Sequence, residues 1–154
     1  MIAVIQRVKK TALTANGAPF SEIGRGFLVL LGVLSGDDET DAILLADKIA
    51  KLRVFSDENG KMNLSLSDVG GEVMVVSNFT LAANYRHGNR PDFLSAAYPE
   101  EADRLYRRFI DRLFEDGVPT SSGVFGADMQ ITTTADGPVT IVMDSAVLRK
   151  EPKQ

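Results

Sequence analysis

An uninterrupted apolar run of eight residues extends from Phe27 to Leu34. Because it has no polar side to turn toward water, this run predicts a strand that is buried on both faces. A second apolar run, from Val73 to Val76, predicts another buried strand. It is followed abruptly by Ser77 and Asn78, which place hydroxyl, amide and backbone groups at its end. The sequence therefore predicts a buried sheet with polar groups at its margin.

Two other segments have the spacing of amphipathic helices. The first helix is predicted over residues 39–52, after N-cap candidates in Ser35–Asp38. The second is predicted over residues 99–116, with Pro99 at its first position and Gly117 as its C-terminal cap. Further strands are expected over residues 2–8, 11–14, 123–126, 129–134 and 139–144.

The sequence predicts two helices among many strands, and strands and helices do not alternate strictly. This pattern indicates an α+β fold rather than a doubly wound α/β fold. We expect a single domain of curled antiparallel or mixed sheets, barrel-like in shape, with two main helices. A chain of 154 residues suits one domain. The domain is expected over residues 1–145, and residues 146–154 are expected to form a polar C-terminal tail.

The composition excludes several kinds of chemistry. The chain has no cysteine, which rules out disulfides, thiolate catalysis and cysteine-containing zinc sites. It has one histidine, His87, and no metal-ligand spacing, so neither a metal nor a cofactor is expected. No apolar run approaches the roughly 20 residues of a membrane span, and the N-terminus lacks the pattern of a secretory signal. A cytoplasmic location without membrane contact is the expectation.

Two short motifs are the best candidates for a functional site. The first is the polar segment that follows the second buried strand, and it consists of Ser77, Asn78, Phe79, Thr80 and Leu81. The second, Asp136–Thr140, places Gly137 and Pro138 between two β-branched runs. Glycine allows close approach of backbone to a ligand, while proline fixes φ and removes a donor.

Together the two motifs resemble the paired signature of the D-aminoacyl-tRNA deacylases. Other segments match the same family in order and spacing: 1–8, 55–57, 60–63, 88–91 and 125–129. The resemblance therefore covers nearly all of residues 1–145. Two positions depart from the family pattern, which more usually has glutamine at Asn78 and often asparagine at Ala135.

The resemblance implies hydrolysis of the ester that joins a D-amino acid, or glycine, to the terminal adenosine of tRNA. It implies a homodimer with active sites at the subunit interface, and a substrate 2′-hydroxyl that assists the reaction. The implied catalytic residues are Ser77, Phe79 and Thr80. The implied substrate-binding residues are Asn78, Leu81, Phe125 and Met129. The Gly137–Pro138 peptide is implied to be cis and to enter the neighbouring subunit's pocket as the source of chiral selectivity.

Several of these residues also have plainer interpretations. Thr80 can pack as a strand residue, position a substrate through its hydroxyl, or act as a nucleophile, although a nucleophile needs a base and none is evident. Phe79, Phe125 and Met129 can belong to the core instead of the site. Arg7 can extend into solvent, or it can donate to the carbonyl-rich turn at Gly137 as a supporting residue.

The charge of the chain limits how it can bind nucleic acid. The net charge is −4, and no basic stripe is visible, so an extensive phosphate contact is not expected. A tRNA substrate would be contacted at its acceptor end and terminal adenosine, and DNA is not an expected partner. The loop that carries Arg86, His87 and Arg90 is either solvated or in contact with acceptor-stem phosphates.

Two alternatives to the deacylase function stay open from sequence. One is a non-catalytic dimeric module on the same fold that binds nucleic acid or another protein. The other is a hydrolase of small esters that uses Thr80 as its nucleophile.

Overall fold

The computed structural model describes residues 1–149, and residues 150–154 of the expected tail lie outside the described residues. The helices are α1 (Glu39–Ala50), α2 (Leu66–Val69) and α3 (Pro99–Glu115). The strands are β1 (Ile2–Ala15), β2 (Ala18–Ile23), β3 (Gly26–Gly32), β4 (Phe55–Ser56), β5 (Met62–Leu64), β6 (Glu72–Ser77), β7 (Thr120–Ser122) and β8 (Met129–Asp144).

The two apolar runs form neighbouring strands in the main sheet. β3 and β6 pair in parallel, and Leu31 lies opposite Ser77. Every residue of β3 except Leu30 is buried, as expected for a strand covered on both faces. β7 extends this part of the sheet by pairing in parallel with β6.

The long strand β1 joins this parallel part to an antiparallel part. β1 pairs with β2 through its C-terminal half and with β3 through its N-terminal half. It also pairs antiparallel with β8 along almost its whole length. The result is a mixed, strongly curled sheet, and the expected α+β fold with a barrel-like sheet and two main helices is confirmed.

Five predicted strand segments differ from the structure: four merge into two long strands, and one is not a strand. The segments 2–8 and 11–14 form one strand, because the intervening lysines face solvent while the backbone keeps its pairing with β8. Likewise 129–134 and 139–144 are both parts of β8. The segment 123–126 is not a strand, since Ala127 N–H donates to the carbonyl of Val124 at 3.1 Å and closes a turn.

The two longer helices pack against each other and cover the sheet. Asp38 caps α1, with its carboxylate accepting from Thr40 N–H at 2.8 Å. Tyr106 of α3 is buried and donates to the Val75 carbonyl of β6 at 2.9 Å, which fixes α3 over the parallel strands. The large side chains that are fully buried in these two helices are Leu45, Ile49, Leu105, Phe109 and Leu113. Within residues 1–149, no helix is long and apolar enough to cross a membrane.

Asp41 in the first turn of α1 connects this helix to residues 145–149. Its side chain is only 5% exposed and accepts two hydrogen bonds from Arg149, at 2.6 and 2.9 Å, and one from Ser145 at 2.8 Å. The hydrogen bonds from Arg149 are the main reason that the pKa of Asp41 lies well below its usual range, against the opposing effect of burial.

We expect Asp41→Asn to lower the free energy of unfolding at pH 7 by about 2 kcal/mol, because it removes the charge from the buried carboxylate that accepts hydrogen bonds from Arg149 and Ser145, while Arg149 keeps only its exposed partner Asp38. A carboxylate with a lowered pKa in the folded state stabilises the protein above its unfolded pKa, and this contribution is lost as the pH falls toward the folded pKa. The difference between the two proteins should therefore shrink from about pH 4 downward. Urea unfolding at several pH values measures it.

Asp128→Asn is the matched control, because Asp128 is exposed. It should change stability by less than about 0.5 kcal/mol at every pH. An equal loss for Asp41→Asn at neutral and acid pH would contradict the role of the ion pair.

Candidate active site

A cavity of about 710 Å³ opens at the end of β6. Ser77, Asn78 and Phe79 line one wall. Phe125 and Met129 line another, and the segment from Phe93 to the start of α3 closes the third side. The structure therefore brings together five of the residues that the sequence singled out.

The first wall is a tight turn built on a glycine. After β6 the chain forms a 3₁₀ turn over Phe79–Ala82. Asn78 N–H donates to the Leu31 carbonyl at 2.8 Å, so the turn stays attached to β3. A Cβ at Gly32 would lie 2.9 Å from the Leu81 Cβ and 3.1 Å from the Asn78 carbonyl oxygen. Only glycine therefore lets the turn sit this close to β3.

Thr80 lies beside the cavity and is exposed, and it has no basic partner. Its hydroxyl donates to the side-chain oxygen of Asn78 at 2.5 Å. An amide oxygen accepts a hydrogen bond but does not remove a proton at neutral pH. His87 is exposed on a separate loop and makes no hydrogen bond to Thr80. Within residues 1–149, the structure therefore gives Thr80 no hydrogen-bonded base of the kind that a covalent nucleophile needs.

The aromatic side chains at the mouth of the cavity are open to solvent. Phe79 is 58% exposed and packs edge-on against Phe93, with ring centroids 5.1 Å apart. Phe125 is half-buried, and its ring centroid lies 6.0 Å from that of Tyr106. Phe79 is therefore not a core residue, while Phe125 both supports the core and faces the cavity.

The side chains around the cavity are almost free of titratable groups. Tyr98 is the single titratable residue in the lining that the structure describes, and no Asp, Glu, His, Lys or Arg reaches it there. Backbone groups, hydroxyls, one amide and apolar surfaces make up the rest. Such a cavity can bind and orient a substrate, but it offers no carboxylate or imidazole for acid–base catalysis.

The Gly137–Pro138 motif lies outside this cavity. In the ladder between β1 and β8, the pairs Gln6–Thr140 and Val8–Ala135 enclose one residue of β1 but four residues of β8. The extra residues bulge outward and leave Gly137 and Pro138 exposed. The peptide bond between them is cis, which is the isomer that the resemblance implies.

Arg7 is the residue of β1 that faces this bulge. Its side chain is 11% exposed, so it does not extend into solvent. Its Nε donates to the carbonyl of Asp136 at 3.2 Å and lies 3.3 Å from the Asp136 carboxylate. Its Nη1 donates to the Val54 carbonyl at 2.6 Å. Arg7 thus ties the residue before Gly137 to the loop that follows α1.

Comparison with known proteins identifies the family of the chain. A family model described as D-Tyr-tRNA(Tyr) deacylase matches residues 4–144. The chain belongs to this family. The resemblance drawn from the motifs is therefore confirmed.

Curated relatives match this family member over nearly their whole length. The D-aminoacyl-tRNA deacylase of Geobacter sulfurreducens is 52% identical over 145 residues, which cover 94% of this chain and 95% of the relative. The D-aminoacyl-tRNA deacylase of Thermodesulfovibrio yellowstonii is 50% identical over 145 residues, 94% of this chain and 99% of the relative.

Two solved structures share the fold. One, named c-Myc DNA Unwinding Element Binding Protein, is 41% identical with a TM-score of 0.88, over 94% of this chain and 98% of the other. Another, titled a probable eukaryotic D-amino acid tRNA deacylase, is 16% identical with a TM-score of 0.78, over 92% and 97%. The second likeness concerns the fold alone.

The structure adds cavity residues that the sequence analysis missed. Phe93, Leu94 and Tyr98 line the cavity, and Gly32 supports its turn. Only Asp92 separates Phe93 and Leu94 from the matched segment 88–91, which was an available signal. Gly32 stands out in the sequence as the one glycine within the apolar run, but only the fold places it beneath Leu81.

We expect Gly32→Ala to reduce the proposed deacylation described below by about 10–100-fold in kcat/KM, because the new methyl group displaces the turn at Asn78–Leu81. Gly32 has an ordinary backbone conformation, so the effect is steric. Gly24→Ala is the control, since its methyl group would meet only a Glu72 carboxylate oxygen at 3.4 Å. Equal activity of both variants, with circular dichroism showing that both fold, would contradict the role of Gly32.

Proposed function

We propose that the protein hydrolyses the ester bond of D-aminoacyl-tRNA, releasing a free D-amino acid and tRNA, and so acts as a chirality checkpoint in translation. Membership of the family and the names of relatives at about half identity support the reaction. The observation that carries the mechanism is a cavity with polar backbone, hydroxyl and aromatic groups but almost no titratable side chain.

The walls of the cavity suit the two ends of the terminal aminoacyl-adenosine. Phe125 and Met129 offer an aromatic face and a polarizable thioether, which favour contact with the adenine ring. Ser77 and Asn78 would hold the ribose and the aminoacyl group, while Leu81, which is outside the lining and packs over Gly32, would support the turn. In this arrangement the adenosine binds beside α3, and the ester lies next to the turn that begins at Phe79.

The turn offers donors for the charge that develops on the ester carbonyl. The first N–H groups of a helical turn have no acceptor inside the turn, and here these are the N–H groups of Phe79 and Thr80. Such backbone donors stabilise the oxyanion of acyl transfer. Water adds to the carbonyl carbon, the bond from this carbon to the ribose 3′ oxygen breaks, and that oxygen leaves with a proton.

The substrate itself would supply the reactive group that assists the attack of water, because the side chains of the cavity offer none. The 2′-hydroxyl of the terminal ribose is adjacent to the ester, and we propose that it assists the attack of water. The lack of a base near Thr80 and the neutral lining both favour this mechanism over catalysis by a side chain. The contribution of the protein is then to position the ester and to stabilise the oxyanion.

Chiral selectivity is assigned to the Gly137–Pro138 bulge of a second copy of the chain. Both residues are exposed and lie outside the cavity lining of their own chain, so a wall built from them would act in a partner's cavity. A rigid backbone wall at the position of an L side chain excludes L-substrates without further ordering on binding. Arg7 would hold this wall in place through Asp136.

A homodimer also accounts for the long strand β8. Within the described chain, β8 pairs with β1 alone, so one edge of a sixteen-residue strand stays uncovered. Long uncovered edges favour association with another chain. Val142, at 68% exposure, adds an apolar side chain to the same strand. These features support a homodimer in which each bulge serves the other subunit.

DNA binding is a second candidate function, favoured by one observation. The solved structure named as a DNA unwinding element binding protein is 41% identical to this chain. The net charge of −4 argues against an extended duplex contact. A gel-shift titration with duplex DNA and deacylated tRNA at matched salt distinguishes the two: the deacylase function predicts weaker binding to the duplex.

We expect Thr80→Val to retain substantial deacylation, with a loss of about 10–100-fold in kcat, compared with the ~10⁶-fold loss on removal of a true nucleophile. The variant keeps the shape of Thr80 and removes only the hydroxyl that donates to Asn78. Single-turnover kinetics on D-tyrosyl-tRNA measures the effect. Complete inactivity of a folded variant, or an acyl adduct on Thr80 in the wild type, would restore covalent catalysis.

We expect D-aminoacyl-tRNA and glycyl-tRNA to be hydrolysed and the matched L-aminoacyl-tRNA to be rejected. The backbone wall blocks an L side chain, but glycine has no side chain to exclude. Ester loss from D-tyrosyl-, L-tyrosyl- and glycyl-tRNA, measured in one assay series, tests the function and the wall together. Equal rates on the D- and L-substrates would reject the wall, and no hydrolysis of any of the three would reject the function.

A further inference from the structure

A short hairpin stands at the edge of the cavity. We define it as the basic hairpin, Asn84–Asp92. Asn84 and Asp92 close its base: Asn84 N–H donates to the Asp92 carbonyl at 2.8 Å, and Asp92 N–H donates back at 2.9 Å. The Asn84 amide also donates to the Asp92 carboxylate at 2.9 Å. These bonds hold both ends of the loop together.

The basic hairpin is connected at both ends to the cavity. Only Ala83 separates its first residue from the Phe79–Ala82 turn. Its last residue is followed immediately by Phe93 and Leu94, which also line the cavity. The edge-on contact between Phe79 and Phe93 joins these two sides. Anything that fills the cavity and extends beyond its mouth therefore passes close to the hairpin.

The tip of the basic hairpin is positively charged and exposed. All residues from Tyr85 to Pro91 are exposed, and they include two arginines and no carboxylate. Asp92 is at the base, where its carboxylate accepts from the Asn84 amide and from Leu94 N–H. Tyr85 is 81% exposed beside the arginines.

Arg86 and Arg90 differ from the other arginines of the described chain in having no side-chain partner. Arg7, Arg104, Arg107, Arg108, Arg112 and Arg149 all form ion pairs with carboxylates. Arg53 donates to Asn63, and Arg25 lies over the ring of Phe55. Within residues 1–149, the two guanidinium groups left for an external anion are thus both on the hairpin whose ends run into the walls of the cavity.

We propose that the basic hairpin binds the backbone phosphates of the single-stranded RNA end whose terminal adenosine occupies the cavity, through Arg86 and Arg90. The proposal rests on the function proposed above. Guanidinium groups bind phosphate oxygens in a bidentate manner. In a chain with a net charge of −4, a local basic site at the mouth also directs a polyanion to the cavity rather than to the rest of the surface.

Two substrates separate this contact from the chemistry. D-tyrosyl-tRNA carries the phosphates, whereas 2′(3′)-O-D-tyrosyl-adenosine has only the part that fills the cavity. We expect Arg86→Ala/Arg90→Ala to lower kcat/KM on the tRNA by about 10-fold or more at low salt, and to leave hydrolysis of the adenosine ester within about 2-fold of wild type. Arg86→Lys/Arg90→Lys keeps the charges but not the bidentate geometry, so it should restore the salt dependence and part of the lost kcat/KM.

The salt dependence of tRNA binding provides a readout that a purely structural role would not change. Each phosphate contact to a single strand contributes about −0.7 to the slope of log affinity against log salt. The alanine variant loses two such contacts, so its slope should be shallower than that of the wild type by about 1.4. The wild-type slope should be no steeper than roughly −3, or about four contacts. Lys48→Ala/Lys61→Ala is the matched control, since it removes two exposed charges away from the cavity and should keep the wild-type slope.

The outcomes distinguish this proposal from the proposed function. If the wild type hydrolyses both substrates and the alanine variant matches it in rate and salt slope, the hairpin does not bind phosphate. If the variant loses activity on the adenosine ester as well, the hairpin shapes the cavity instead, and the proposal is rejected. If the wild type hydrolyses neither substrate, the deacylase function itself fails.

Discussion

The parallel pairing of β3 with β6 is the constraint on which the candidate site depends. In this register Leu31 lies opposite Ser77, and the Leu31 carbonyl accepts from Asn78 N–H. Parallel strands end at the same edge of a sheet, so Gly32 comes to lie beneath the turn that follows β6. A slip of one residue would turn the side chains of β6 to opposite faces and remove Ser77 from the cavity wall.

Burial of these strands also explains why the cavity is chemically neutral. Its walls are extensions of the core: Phe125 contacts Tyr106, and Tyr106 in turn bonds to Val75 of β6. A charged side chain in such walls would lose hydration without a partner. Among the described residues, charged side chains are found instead in ion pairs around α3, at Arg7 and between Asp41 and Arg149, and at exposed positions. This arrangement suits a substrate that brings its own reactive hydroxyl.

The two candidate functional motifs of the sequence lie at separate places in the folded chain. Ser77, Asn78 and Phe79 meet Phe125 and Met129 across the cavity. The segment between β7 and β8 stays attached to β6 here, since Gly123 N–H donates to the Val75 carbonyl at 3.0 Å. Gly137 and Pro138 lie farther along β8, where the mismatch with β1 makes the chain bulge. A sequence shows both motifs but not their separation, and this separation is the reason that the proposed mechanism needs two copies of the chain.

Local patterns in the sequence were sufficient to predict the buried strands, the cap of α1, the two main helices and the family. Each depends on hydrophobic spacing or on residue types within a few positions. Contacts between distant residues determined the rest. β1 and β8 continue through polar positions because each pairs with the other, and Arg7 turns inward because Asp136 and Val54 offer carbonyls. Tyr98 joins the cavity wall only because the folded chain places it opposite β6, at a sequence distance that no local pattern covers.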